Sequence, residues 1–123
     1  MKPSNLLISQ NRRLKIADFG LARLQDDSRP MSHQVATRWY RAPELLYGAK
    51  YYDYGVDVWS AGTIIGELFS FSPLFPGQSD IEQLWCVIRV LGTPTLSNWP
   101  QLTSLPDYKK IQFPLAEPKD LSG

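Results

Sequence analysis

The sequence predicts an α+β fold that is mainly helical, with a short β-hairpin at its N-terminus. Three observations carry this prediction. Two short apolar runs flank a polar stretch close to the N-terminus. Two later segments carry apolar residues at helical spacing, the second of them behind a capping box. Eight glycines and ten prolines punctuate the rest, so the chain is broken by turns and is no continuous bundle.

The elements follow in order. Leu6-Leu7-Ile8 and Leu14-Lys15-Ile16 surround Ser9-Gln10-Asn11-Arg12-Arg13, which reads as a hairpin with a five-residue loop. Residues 24–38 show neither helical nor strand period and carry turn formers, which predicts a long irregular loop. Loops of that length in compact domains are usually functional or disordered. Pro43-Glu44-Leu45-Leu46-Tyr47-Gly48 reads as a helical turn with Pro at its first position and Gly as terminator.

A longer helix is expected from about Val56 to Ser70. Its apolar residues lie nearly all round the cylinder, which predicts a central helix with protein on every side. Ser79-Asp80-Ile81-Glu82 matches a capping box and opens a helix to about residue 91. Its apolar face is Ile81, Leu84, Trp85, Ile88 and Leu91. Gly92-Thr93-Pro94 ends it, and the proline-bearing remainder should be mostly irregular. A helix apolar on every side needs several partners, and 123 residues offer few, so the chain reads as part of a core.

Composition narrows the function classes. Hydrophobic residues make up 43%, charged residues 20%, and the formal charge is +1, an ordinary globular balance without support for a nucleic-acid partner. Cys86 stands alone, so neither a disulfide framework nor a paired-cysteine metal site is expected. The most apolar run stops at Glu67 after beginning at Val58, far short of the roughly 20 residues of a membrane span. The opening Met-Lys-Pro-Ser-Asn does not read as a signal peptide.

At the open end of the hairpin, an antiparallel pair should bring Asn5 and Asp18 to face each other. An amide oxygen and a carboxylate there could share a hard cation, and Mg²⁺ takes such oxygen ligands. The plainer alternative is that Asn5 caps a turn and Asp18 is a solvated loop residue.

Lys2-Pro3-Ser4-Asn5, Asp18-Phe19-Gly20 and Ala42-Pro43-Glu44 resemble the protein-kinase series K-x-x-N, D-F-G and A-P-E, in order and at kinase spacing. The resemblance covers essentially the whole chain and implies a protein-kinase-like fold, the middle of the C-terminal lobe. Ile16 to Arg23, Val35 to Glu44 and Pro73-Leu74-Phe75-Pro76-Gly77 look like the cyclin-dependent kinase branch. Gly92-Thr93-Pro94, Trp99-Pro100 and Leu105 to Tyr108 look like the insert of this wider group. His33 to Arg41 and Asp80 to Leu84 are most similar to the cell-cycle-related kinase group, with the CDK-activating group as runner-up.

That resemblance implies a partial kinase domain over 1–123. It comprises the end of the catalytic loop, an activation segment 18–44, a central helix at about 56–70, helix G at about 79–91 and the start of the insert at about 92–123. It implies ATP and Mg²⁺ as cofactors, with Asp18 and Asn5 as metal ligands and Lys2 touching the transferring phosphate. Phe19 and Gly20 belong to the activation loop. Ser32 is the candidate phosphosite, although a threonine is usual there, and Arg23 is its phosphate partner. Val35, Ala36, Thr37 and Arg41 would shape the pocket for the residue after the phosphoacceptor, with Thr37 bonding near Lys2. Proline suits that pocket because it lacks a backbone N–H. Glu44 and Asp57 are structural, Glu44 pairing with a downstream arginine and Asp57 tying its helix to the catalytic loop.

The function implied is a proline-directed serine/threonine kinase, acting on protein Ser/Thr-Pro sites and activated by a cyclin or cyclin-like partner. The pattern also expects H-R-D-L immediately before Lys2, yet Met1 stands where that leucine belongs, and the catalytic aspartate and nucleotide lobe are not in the chain. Expressed alone, the chain is expected to be marginally folded and inactive. The alternative is a short non-catalytic isoform that binds or competes. The resemblance suggests nucleus, cytoplasm or cilium; composition indicates an intracellular, soluble protein.

Overall fold

A computed structural model describes residues 1–25 and 28–121. Asp26 and Asp27, in the predicted long loop, lie outside the described residues. A 3₁₀ turn at Pro3–Asn5 leads into strands β1 (Leu6–Ile8) and β2 (Leu14–Ile16), which pair antiparallel with Leu6 opposite Ile16 and Ile8 opposite Leu14. The five-residue loop closes through Ser9, whose N–H donates to the Arg13 carbonyl at 2.9 Å. Both strands match the sequence expectation.

After β2, the described residues up to Thr37 form neither helix nor strand, and a 3₁₀ turn at Arg38–Tyr40 follows. Helix α1 (Pro43–Leu46) begins with proline, whose missing N–H costs nothing in a first turn. Gly48 ends the segment at φ 80, a conformation strained for any side chain, and a Cβ there would lie 2.6 Å from Asp107 Oδ2 and have to push that carboxylate aside.

Helix α2 spans Gly55–Ser70 and ends on Phe71 at φ 54, a left-handed cap made by a non-glycine residue. Only one side of α2 is covered among the described residues. Ser60, Thr63 and Ile64 are buried, whereas Val58, Ile65, Leu68 and Phe69 are exposed. The expectation of protein on every side is therefore not met, because the packing elements, the Arg38–Tyr40 turn foremost, all approach from that single side.

Helix α3 (Asp80–Leu91) starts as the capping box predicted, with Ser79 Oγ accepting the Glu82 N–H at 3.1 Å. The return bond is shifted: Glu82 Oε2 accepts from the Gln78 N–H at 2.9 Å rather than from Ser79. The buried face also differs from the predicted one. It comprises Gln83, Leu84, Cys86, Val87 and Ile88, whereas Ile81 and Leu91 face solvent. Two clusters flank α3, one on each side, and so turn that face.

The first cluster joins Leu46, Tyr47, Leu84 and Leu102 with Trp99, Tyr108 and Phe113. Tyr47 meets Trp99 and Tyr108 edge-on at 6.2 and 5.7 Å. The second joins Phe75, Cys86 and Val87 with Trp59, which stacks on Phe75 at 6.0 Å. Beyond α3, the expected irregular remainder holds two 3₁₀ turns, at Leu102–Ser104 and Tyr108–Lys110. It folds back on α3 through Lys119 N–H to the Val90 carbonyl at 2.8 Å. Among the described residues no helix is long and apolar enough to cross a membrane.

Candidate active site

The hairpin register decides how its two polar ends meet. With Leu6 opposite Ile16, Asn5 stands opposite Ala17, and its carbonyl accepts the Ala17 N–H at 2.8 Å. Asp18 follows one residue later, so the expected direct Asn5–Asp18 pairing is displaced by one position. The two still leave the same end of the hairpin, with Lys2 just before the Pro3–Asn5 turn and its carbonyl accepting the Asn5 N–H at 3.1 Å.

Asp18 takes φ 64, a left-handed conformation uncommon for a residue with a side chain. Its Oδ1 accepts the Gly20 N–H at 3.1 Å. A Cβ on Gly20 would sit 3.1 Å from that same oxygen, a tight approach that the carboxylate would have to yield to. Phe19 is exposed between them, and its carbonyl accepts the Ala22 N–H at 3.0 Å. Asn5 and Asp18 thus offer oxygen donors of the kind a hard cation takes.

The segment from 28 onward is tied down at its far end. Met31 N–H donates to the Lys50 carbonyl at 2.7 Å, and the Tyr52 hydroxyl donates to the Ser32 carbonyl at 2.7 Å. Ser32 is exposed, and its Oγ accepts the Gln34 N–H at 3.3 Å. Burial pushes the Tyr52 phenol up from its usual value, the positive field of Arg23 opposes this, and Asp57 adds to it. Tyr52 thus holds the Ser32 carbonyl while its phenol feels the charges of Arg23 and Asp57. Sequence reasoning did not single Tyr52 out, since an isolated tyrosine carries no pattern.

The pocket residues are brought together by one arginine. Arg41 Nε donates to the Val35 carbonyl and its NH2 donates to the Ala36 carbonyl, each at 3.0 Å. Ala36 sits at φ 66, a left-handed position that turns its carbonyl toward the fork. The third arm of Arg41 reaches Asp80 Oδ1 at 3.3 Å. Arg38 Nε donates to the same oxygen at 2.9 Å, and its NH1 reaches the Gln78 carbonyl at 3.2 Å. Thr37 is exposed and precedes the 3₁₀ turn, its carbonyl accepting the Tyr40 N–H at 3.0 Å.

Two predicted structural acids differ in setting. Glu44, in α1, is half-buried. Burial pushes its carboxyl up, a backbone N–H pulls it down, and the charge of Asp53 pushes it up again. Asp57 lies exposed in the first turn of α2, where a negative charge suits the helix N-terminus. The roles of Asp80 and Arg38 were missed. Asp80 stood inside the capping-box motif, but nothing local pointed from it to a residue 39 positions earlier.

This ordering of a lysine-asparagine turn, an aspartate-phenylalanine-glycine turn and an arginine-locked loop is that of a protein kinase. The chain belongs to the protein kinase domain family, whose model matches residues 1–115. It is 67% identical over 115 residues to cyclin-dependent kinase 20 of Danio rerio, covering 92% of this chain and 33% of that protein. The similarity to the cell-cycle-related kinase group, which is cyclin-dependent kinase 20, is thus borne out. The fold superposes on the crystal structure of the yeast RNA Pol II CTD kinase CTDK-1 complex with a TM-score of 0.90. That match has 39% identity and covers 96% of this chain and 40% of that one. It matches the CAK complex of Chaetomium thermophilum bound to ATP-γ-S with a TM-score of 0.85 and 45% identity, over 100% of this chain and 38% of that one. The chain spans about a third of the length of the curated relatives it matches.

Proposed function

We propose that these residues belong to a proline-directed serine/threonine kinase that transfers the ATP γ-phosphate to protein Ser/Thr-Pro sites. The observation that carries this reading is the Arg41 fork, 3.0 Å from each of the Val35 and Ala36 carbonyls. With both carbonyls engaged, an incoming residue that brings a backbone N–H loses water and gains no acceptor. Proline has no N–H to lose.

Asp18 and Asn5 would hold Mg²⁺, which supplies charge neutralisation for the transferring phosphoryl group. Lys2 adds a compact positive charge beside them. Residues 18–44 act as the activation segment, with 92–123 as the start of the insert. Ser32, exposed and held through its carbonyl by Tyr52, is the modification point, where added negative charge would pair with Arg23 and order the loop. A cyclin-like activator and a nuclear, cytoplasmic or ciliary site of action complete the reading.

The test is phosphotransfer by the full-length protein. Asp18→Ala should abolish it, Ser32→Ala should lower it, and the 123 residues alone should show none. Transfer that survives Asp18→Ala would overturn the proposal. A second reading, a non-catalytic binding module, draws on the exposed apolar side chains Val58, Leu68 and Phe69 of α2. It requires that the 123-residue chain, added in excess, lowers the activity of the full-length kinase.

A further inference from the structure

We infer that Asp80 is a positioning residue for the recognition of the position after the phosphoacceptor, acting through Arg41; this rests on the kinase reading above. Arg41 is a largely enclosed cation, its side chain 11% exposed. A guanidinium so placed needs a countercharge, and carbonyl oxygens alone do not supply one. Among the described residues its carboxylate partner is Asp80, reached at 3.3 Å from the opposite side of the fork that holds Val35 and Ala36.

The geometry links two separate elements. Val35, Ala36 and Arg41 lie on the activation segment, whereas Asp80 is the first residue of α3. The same Asp80 oxygen also accepts from Arg38 Nε at 2.9 Å, so two arginines of one 3₁₀ turn and its exit converge on one carboxylate. Nearby, Trp39 Nε1 donates to the Gly77 carbonyl at 3.0 Å, and Gln83 Nε2 reaches the Trp39 carbonyl at 3.4 Å. The start of α3 is therefore locked against the turn by several bonds, and Asp80 passes that lock to the Arg41 fork. Without its charge the fork loses one of three anchors and can release a carbonyl. A released carbonyl is an acceptor for the N–H of a non-proline residue.

The consequence is a change of selectivity and not only of rate. The experiment is a competition assay with the full-length protein on two peptides that differ only in Ser-Pro against Ser-Ala. The readout is the ratio of their kcat/KM values, which does not depend on how much of a variant is folded. Asp80→Asn, at a side chain 46% exposed in a helix first turn, should lower the ratio about tenfold, the worth of one charge-assisted bond. Most of the change should appear in KM, with the Ser-Ala peptide improving. Asp80→Glu should restore most of the ratio. If both peptides fall in equal proportion, or the ratio stays within twofold of wild type, the assignment is wrong. A wild-type protein that phosphorylates both peptides equally refutes the proline-directed reading above, and the assignment with it.

Discussion

The fully buried amide of Gln83 accepts the Gly77 N–H at 3.0 Å, and this bond fastens the Pro/Gly turn to the first coil of α3. A Cβ on Gly77 would lie 2.5 Å from Gln83 Cα, so the two segments touch at backbone distance. Removing the amide leaves the Gly77 N–H only its longer bond to the Phe75 carbonyl, at 3.2 Å, and opens a cavity. Gln83→Ala should destabilise the protein by about 2–4 kcal/mol, and Gln83→Leu, which keeps the volume, by less. Urea unfolding of the three proteins measures both differences.

Tyr40 gives a pH prediction. Its hydroxyl donates to Glu67 Oε2 at 2.7 Å, and burial, with the adjacent carboxylate, pushes its phenol up to about 12 from 10.0. In the unfolded chain the proton leaves first, so the unfolded state binds fewer protons above pH 10. The contribution is complete below pH 10 and is lost as pH rises through about 12. Tyr40→Phe should therefore flatten the fall of stability across that window, and a phenolate absorbance titration should lose its latest step.

Phe71 closes α2 at φ 54 with its ring almost wholly exposed. A left-handed conformation costs a non-glycine residue about 1–2 kcal/mol, and the ring recovers little of this in solvent. Phe71→Gly should raise the unfolding midpoint, corresponding to about 1 kcal/mol of added stability. An unchanged or lower midpoint would show that the ring is covered in solution.

The legible parts of the fold share one property: their signals are local. Proline at the start of α1, Ser79 three residues before Glu82, and the polar stretch between two apolar runs each act within a few positions. What escaped reading is long-range. Nothing in the sequence aligns Asp80 with Arg41, and Gln83 had no place in the predicted apolar face, although its amide bonds both Gly77 and the Trp39 carbonyl. The side of α2 that stays open also escaped, since apolar residues all round a helix do not say which of them the chain itself covers. At the candidate site the motif words carried Asn5 and Asp18, while the one-residue offset between them needed the strand register.

The exposed faces make a solution prediction. Leu7, Ile8, Leu14 and Ile16 of the hairpin and Val58, Ile65, Leu68 and Phe69 of α2 are apolar and open to solvent. Surfaces of this kind bind hydrophobic dyes and self-associate. The 123-residue chain should enhance anilinonaphthalene sulfonate fluorescence, and Leu68→Lys with Phe69→Lys should reduce both the enhancement and light scattering.

Cys86 has a practical corollary. It is the sole thiol of the chain, 6% exposed, and sits between Phe75 and Val87 with Arg89 NH2 3.5 Å from its sulfur. A reagent such as iodoacetamide can reach it only when α3 parts from the turn at Phe75. Its rate of alkylation is thus an internal clock for that opening, readable by mass without any introduced label. Run beside the Gln83 and Asp80 variants, that clock separates a loosened α3 from a merely retuned Arg41.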